Sequence, residues 1–243
     1  MAVLITGGTK GIGLAVARRM AAQGEPLFLA YRADEAAAAR AVAELGPQAH
    51  AIQADVGTPA GAQALIAQVA RRTDRLDLIV HGAVTVLVGA LLDMDGDALA
   101  KALTVNGASL VFLLQAARPL LKRGSSVVFL SSRGSRQVVP GYGAIGAGKA
   151  LAESLMRYLV PELAPLGVRI NAVAPGTLDT EAVRNLFGAN TDALLASEAA
   201  GNPSGRNIDH DDYVGLVEFL AGPQAQMIQG QVIFVNGGQY VIA

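Results

Sequence analysis

The chain contains no cysteine, and that one absence excludes a disulfide framework, a thiolate metal site and a cysteine nucleophile. Histidine is almost as scarce. His50, His81 and His210 stand far apart with no HExxH-type spacing, so no structural or catalytic metal is expected. Only 16% of residues are charged, and 19 Lys plus Arg against 20 Asp plus Glu leave a net charge of −1. There is no basic field to hold nucleic acid and no polybasic cluster to hold anionic lipid. Long hydrophobic runs are missing too, despite a mean hydropathy of +0.39. The longest uncharged apolar stretches, 78–92 and 102–117, contain His81 and Asn106 and fall short of the ~20 residues a membrane-spanning helix needs. The N-terminus shows no basic segment leading into an apolar one and runs from Met1 to Gly7 as a strand entering a turn. A cytoplasmic protein with no membrane or nucleic-acid partner is expected.

What the sequence does hold is enough apolar residue, 52% of 243, for the core of one large α/β domain. Short apolar runs predict strands over 2–6, 26–31, 49–54, 76–81, 125–131, 169–173 and 233–236. Between them, helical patterns cover 13–23, 34–45, 59–72, 97–121, 144–163 and 211–220, with Gly24 and the Gly46-Pro47 pair as stop signals. Several strands are continuous rather than alternating apolar runs, the pattern of strands buried on both faces. A doubly wound Rossmann α/β fold follows, with a parallel seven-stranded sheet and helices on both faces. No repeat or linker divides the chain, so a single domain over 1–243 is expected. The stretch 177–210 lacks strand character and follows strand six, where it would cover the sheet's carboxyl edge as a lid.

The turn Thr6-Gly7-Gly8-Thr9-Lys10-Gly11-Ile12-Gly13 leaves one strand and opens one helix, the context a dinucleotide-binding loop requires. Gly7 permits the tight turn; Gly11 and Gly13 let the backbone approach a pyrophosphate and pack helix against strand, with helix N–H groups as donors. The spacing is TGxxxGxG rather than GxGxxG. At this point the chain resembles the short-chain dehydrogenase/reductase family, and the resemblance runs nearly end to end. It continues through Asp55-Val56, Asn106, Ser131-Ser132, Pro175-Gly176, Gly230-Gln231 and Gly237-Gly238. It implies cofactor contacts at Gly7, Thr9, Lys10, Gly11, Ile12, Gly13, Asp55, Val56, Gly82, Lys149, Pro175, Gly176 and Thr180, with Asp55 on the adenine.

The tip of strand two selects the dinucleotide. An acidic residue there would accept from a ribose 2′-OH and repel a 2′-phosphate. Here it reads Ala30-Tyr31-Arg32, with Lys10 in the glycine loop, and two cations without a carboxylate favour NADPH over NADH. The alternative leaves Arg32 as a solvated surface residue and gives the ribose to Asp34.

Hydride transfer to a carbonyl system needs a donor for the developing oxyanion and a cation that lowers the donor's pKa and holds the ribose. The family supplies Tyr-x-x-x-Lys on one helix, with a serine some thirteen residues before the tyrosine. Counted back from Lys149, the tyrosine position is Ile145, and thirteen residues earlier stands Ser132, so only the tyrosine has moved. The nearest is Tyr142, and Tyr142-x6-Lys149 spans close to two helical turns. If the helix extends that far, the hydroxyl sits roughly 4.5 Å further along the axis. Such a displacement suits conjugate reduction, in which hydride lands on the β-carbon and the oxyanion forms three bonds away. Tyr-x6-Lys also resembles the enoyl-acyl-carrier-protein reductases of the family, as do the segments 131–135, 179–180, 205–206 and 227–231. That resemblance implies Tyr142 as oxyanion donor, Lys149 as ribose anchor, Ser132 as orienting group and Asn106 as holder of a relay water. His81-Gly82-Ala83-Val84 and Asn236-Gly237-Gly238 depart from the family's usual Asn-Asn-Ala-Gly and Asp-Gly-Gly; His81 is expected to be structural.

Within 177–207, Val183, Leu186, Phe187, Leu194 and Leu195 suggest one or two short helices that either cover an acyl chain or pack on the sheet. Arg184 and Arg206 are candidates to receive an acyl carrier protein or coenzyme A phosphates. The long helices 97–121 and 144–163 carry more apolar surface than one sheet face needs, and the resemblance implies that such helices form dimer interfaces, often within tetramers, so a homodimer or homotetramer is expected. Two rivals to enoyl reduction remain: reduction of a 3-oxoacyl thioester or other ketone, and a non-catalytic NADPH-binding sensor or scaffold.

Overall fold

The computed structural model of the protein describes residues 1–22 and 24–239. Its elements run β1 (Val3–Thr6), α1 (Gly11–Ala21), β2 (Leu27–Tyr31), α2 (Glu35–Leu45), β3 (Ala49–Gln53), α3 (Pro59–Val69) and β4 (Leu76–His81). They continue with α4 (Gly96–Leu103), α5 (Ser109–Ala117), β5 (Leu121–Leu130), α6 (Gly143–Leu163) and β6 (Arg169–Pro175), then α7 (Glu181–Phe187), α8 (Thr191–Ala200), α9 (Asp211–Ala221) and β7 (Val232–Val235). All strand pairs are parallel and the order is β3-β2-β1-β4-β5-β6-β7. The order reverses between β1 and β4, which opens a crevice at the carboxyl ends of those two strands.

The continuous apolar strands explain the layers. Leu4, Phe28, Ile79, Val127 and Ile170 face one side of the sheet and pack with Leu65, Leu110, Leu113 and Met156. Val3, Ile5, Leu78, Val80 and Val128 face the other and pack with Val16, Met20, Val214 and Val217. Strand side chains alternate faces with period two, so a run such as Leu78-Ile79-Val80 feeds both cores at once.

Several boundaries differ from expectation. The helix expected over 97–121 is a helical run in four parts: α4, a π turn at 104–108, α5, and a 3-10 turn at 118–120. Pro119 stands in that last turn, and Leu121 already belongs to β5, which starts four residues before the expected Ser125. The whole run, Gly96–Leu120, is long and apolar enough to cross a membrane by length alone. Its Leu110, Leu113, Leu114 and Ala117 are instead buried in the core against the sheet. Helix α3 stops at Val69 rather than 72, and α1 spans Gly11–Ala21 rather than 13–23; Gln23 lies outside the described residues.

One buried charge ties the start of β6 to the end of α9. Arg169, 8% exposed, donates to the carbonyls of Leu220 (2.6 Å), Ala221 (3.2 Å), Gly222 (3.0 Å) and Ala225 (3.2 Å). Leu220 and Ala221 end α9 and Ala225 closes the turn after it, and the helix dipole favours a cation there; Leu220 O also accepts from Ser126 Oγ (2.9 Å) and Ala225 O from the Ile228 amide (3.0 Å). Arg169→Met is expected to cost about 3 kcal/mol by stranding those acceptors. A lower urea midpoint with an unchanged m value would verify it.

Candidate active site

A cavity of about 940 Å³ opens at the carboxyl ends of the strands. One wall is the glycine loop. Gly7 has φ +68°, and a Cβ there would sit 2.9 Å from the Gly82 carbonyl oxygen. At Gly13 a Cβ would lie 2.2 Å from the Gly7 carbonyl oxygen, so helix and turn pack backbone to backbone. Gly11, at φ +51°, meets nothing nearer than Thr180 at 3.8 Å and leaves an open cradle. Lys10 precedes α1 and its side chain caps none of the helix N–H groups, and the first turn carries no acid. Uncapped N–H groups at a helix start form an anion site, and they border this cavity. The loop therefore fits a pyrophosphate.

At the tip of β2 the charges are arranged differently from the expectation. Lys10 Nζ donates to Asp34 Oδ2 at 2.8 Å and lies 3.8 Å from Glu181. The Asp34 carboxylate lowers the freedom of that cation to meet a phosphate, and its other oxygen caps α2 by accepting from the Ala37 amide (2.9 Å). Both Asp34 oxygens are thus engaged, while the Arg32 side chain lines the cavity, exposed and without an ion pair among the described residues. Asp55 and Val56 line the adjoining wall, with Asp55 Oδ1 accepting from the Gly57 amide at 3.0 Å. Pro175, Gly176 and Thr180 line the opposite one, where Thr180 caps α7 by accepting from the Val183 amide (3.3 Å).

His81 is structural. It is fully buried, with Nδ1 2.7 Å from Thr6 Oγ1 and Nε2 2.8 Å from Ser109 Oγ. The Ser109 hydroxyl donates to the Val105 carbonyl (2.6 Å), and Thr6 Oγ1 accepts from the Gly82 and Ala83 amides, both at 3.2 Å. That chain is complete only with the proton on Nε2, and burial holds the ring's pKa down at about 3, so it stays neutral. The imidazole ties β1, β4 and the π turn together where the family commonly has asparagine. Asn236 likewise builds its turn, accepting from the Gly238 amide at 3.1 Å.

Asn106 sits in the π turn, fully buried, and lies outside the cavity lining. It accepts from the Thr85 amide (2.8 Å) and donates to the Thr85 carbonyl (3.0 Å), so its contact with the site runs through the loop after β4. Thr85 itself lines the cavity.

Tyr142 does not extend the helix. It is the residue before α6, with φ −97° and ψ 7°, so the offset from Lys149 is set by a turn rather than by helical rise. Its ring occupies the space that a Cβ on Gly134 would fill, 2.5 Å from Cδ1. Burial pushes the phenol's pKa up, and the neighbouring Ser132 hydroxyl and Arg133 guanidinium pull the other way. That hydroxyl closes no hydrogen bond of good geometry. Ser132 Oγ and Thr85 Oγ1 are buried without a partner among the described residues, and both residues line the cavity. Unsatisfied buried hydroxyls are costly and fit a site that completes its bonds with a ligand. Ile145 is buried one turn before Lys149 and forms cavity wall.

Lys149 is buried; its Nζ donates to the Leu130 carbonyl (2.7 Å) and lies 4.6 Å above the Phe129 ring. Burial lowers its pKa to about 8, against an opposing pull from Glu153. Glu153 was not foreseen from sequence, although an acid four residues after Lys149 on the alanine-rich start of α6 was the available signal.

Helices α7 and α8 stand where two short helices were expected. Val183, Phe187 and Leu194 line the cavity, whereas Leu195 is buried away from it; the side chain of Leu186 lies outside the described ones. The two arginines considered for a carrier are paired within the chain. Arg184 binds Asp179 through two bonds of 2.6 Å, and Arg206 binds Asp212 at 2.7 and 2.6 Å.

The described residues thus unite a pyrophosphate cradle, a buried lysine and a phenol around one cavity, and known proteins share the frame. Residues 7–239 match the family model described as enoyl-(acyl carrier protein) reductase. The chain is 32% identical to 1-cyclohexenylcarbonyl-CoA reductase of Streptomyces collinus, over 99% of this chain and 87% of the relative. It is 27% identical to an enoyl-[acyl-carrier-protein] reductase [NADH] of Synechocystis, over 96% and 93%. The crystal structure of a short-chain dehydrogenase of Burkholderia cenocepacia in complex with NADP superposes with a TM-score of 0.87 at 31% identity, over 98% and 97% of the two chains. The chain belongs to the short-chain dehydrogenase/reductase family of oxidoreductases.

Proposed function

We propose that the protein reduces the α,β double bond of an enoyl thioester with NADPH, the acyl group carried by coenzyme A or an acyl carrier protein. The observation that carries this is the exchange of wall and donor: Ile145 forms the wall where the family has its tyrosine, and the phenol beside Ser132 is Tyr142. Bound NADPH would supply the hydride that adds to the β-carbon. Tyr142 donates a hydrogen bond to the thioester oxygen as negative charge collects there, Ser132 orients that oxygen, and the Lys149 cation holds the ribose and favours charge on the oxygen. Asn106 acts through Thr85. Val84, Val86, Val88, Val139 and Leu194 line the cavity and give an acyl chain an apolar bed, with the segment 177–210 as its lid on a single domain. The Streptomyces relative supports the reading, since a cyclohexenylcarbonyl thioester is α,β-unsaturated. A cytoplasmic setting and a homodimer or homotetramer accompany it; exposed Leu92, Leu151 and Tyr158 supply apolar surface for such contacts.

Carbonyl reduction is the second reading. The placement of Tyr142 before α6, off the helical register, favours it by freeing the phenol from a fixed axial offset. The test is NADPH oxidation with crotonyl thioester and acetoacetyl thioester in parallel, with NADH controls. Oxidation with the enoyl substrate is expected; oxidation with the oxoacyl substrate alone overturns the proposal.

The cofactor choice rests on Arg32, because Lys10 is already paired. Arg32→Ala is expected to weaken NADPH about tenfold and leave NADH unchanged. Equal affinities before and after, by fluorescence titration, would remove the 2′-phosphate from Arg32.

A further inference from the structure

Helix α6 buries a carboxylate that the reaction does not use. Glu153 is 3% exposed, one turn beyond Lys149. Burying a charge is expensive unless it is paired and hydrogen-bonded. Here Oε1 accepts from the Ser131 hydroxyl (2.5 Å) and lies 2.6 Å from Ser135 Oγ, whose proton is shared with the Ser132 carbonyl at 2.8 Å; Oε2 accepts from Arg136 Nε at 3.3 Å.

These partners bracket the segment that seats the phenol. Ser131 and Ser135 flank Ser132 and Gly134, and the Tyr142 ring fills the place of the absent Gly134 Cβ. The Gly134 carbonyl oxygen would be 2.4 Å from a Cβ on Gly146, so the segment is already in close contact with the α6 backbone. Little slack remains on either side.

We propose that Glu153 is a positioning residue of this site: its carboxylate clamps the Ser131–Ser135 segment in the arrangement that seats Tyr142, and its charge stabilises the Lys149 cation. The inference rests on the roles given above to Tyr142 and Lys149. The groups concerned face one another from three elements. Lys149 lies on the same helix, Arg136 and the two serines come from the segment after β5, and His81 at the end of β4 faces Lys149 as a neutral ring.

The experiment compares Glu153→Ala and Glu153→Gln in the whole protein. Three quantities are read across pH: NADPH affinity by fluorescence, thermal midpoint, and kcat with crotonyl and acetoacetyl thioesters. Glu153→Ala is expected to lower kcat about 10²-fold while NADPH affinity near neutrality stays within about threefold. Glu153→Gln keeps an acceptor for both serines and is expected to retain most of kcat near neutrality. Its alkaline loss of NADPH affinity moves to lower pH, because Lys149 has lost its adjacent negative charge. An unshifted pH profile in Glu153→Gln overturns the proposal, and so does a parallel loss of kcat, NADPH affinity and midpoint in both variants. Wild-type turnover of the oxoacyl thioester alone refutes enoyl reduction while leaving the Glu153 comparison readable on that substrate. With neither substrate turned over, the pH dependence of NADPH affinity decides it.

Discussion

Tyr142→Phe is expected to lower kcat on an enoyl thioester about 10³-fold, the cost of removing one donor to a developing oxyanion. The phenyl ring still fills the space over Gly134, so thermal stability and NADPH affinity should stay near wild type. That separation is informative. A sensor or scaffold would lose nothing with the hydroxyl, and a protein that needed Tyr142 only for packing would lose nothing either, because packing is preserved. Retained turnover in Tyr142→Phe would therefore reject Tyr142 as the donor. Burial raises the phenol's pKa above its ordinary 10.0, so the donor stays protonated through neutral and mildly alkaline pH. Any fall in rate within that range has to come from another group.

Lys149 is that group. Its pKa is lowered from 10.5 to about 8 by burial, so its cation is lost as pH rises through about 8. Activity and NADPH affinity are expected to fall together in that window, and Lys149→Met should abolish the step while lowering kcat about 10³-fold at neutral pH. Folding stability runs the opposite way. Between about 8 and 10.5 the unfolded chain still binds this proton while the folded chain has released it, so stability from Lys149 rises with pH across the window. The contribution is absent in Lys149→Met. Urea unfolding of both forms across pH would show wild type gaining roughly 1–3 kcal/mol on the variant; a parallel pair of curves would mean that Lys149 titrates normally.

Much of this was legible in the chain alone. Continuous apolar runs such as Leu78-Ile79-Val80 predicted buried parallel strands, and β4 was bounded correctly at Leu76–His81. The glycine loop was legible because backbone demands leave few choices. A residue that must accept φ +68°, or whose Cβ would fall 2.2 Å from a carbonyl oxygen, is glycine, and the spacing of Gly7, Gly11 and Gly13 is visible without coordinates. The departure of the tyrosine from its register with Lys149 and Ser132 was equally a property of the string. Boundaries were less legible: the π turn at 104–108 has no periodicity of its own, and β5 begins right after a proline-containing turn.

Tertiary structure decided what depends on partners distant in sequence. Lys10 reads as a free cation until β2 and α7 bring Asp34 and Glu181 to it, 24 and 171 residues away. Arg184 and Arg206 read as candidates for a carrier protein or coenzyme A phosphates until folding pairs them with Asp179 and Asp212. His81, expected to be structural, finds its partners only in the fold, where Thr6 and Ser109 enclose it and desolvation removes its charge. The sequence by itself determined the backbone geometry of the glycine loop and the identity of each chemical group, because sterics and functional groups belong to single residues. Protonation state, free charge and the seat of Tyr142 were decided only by the fold, because desolvation and pairing depend on neighbours that the linear chain does not reveal.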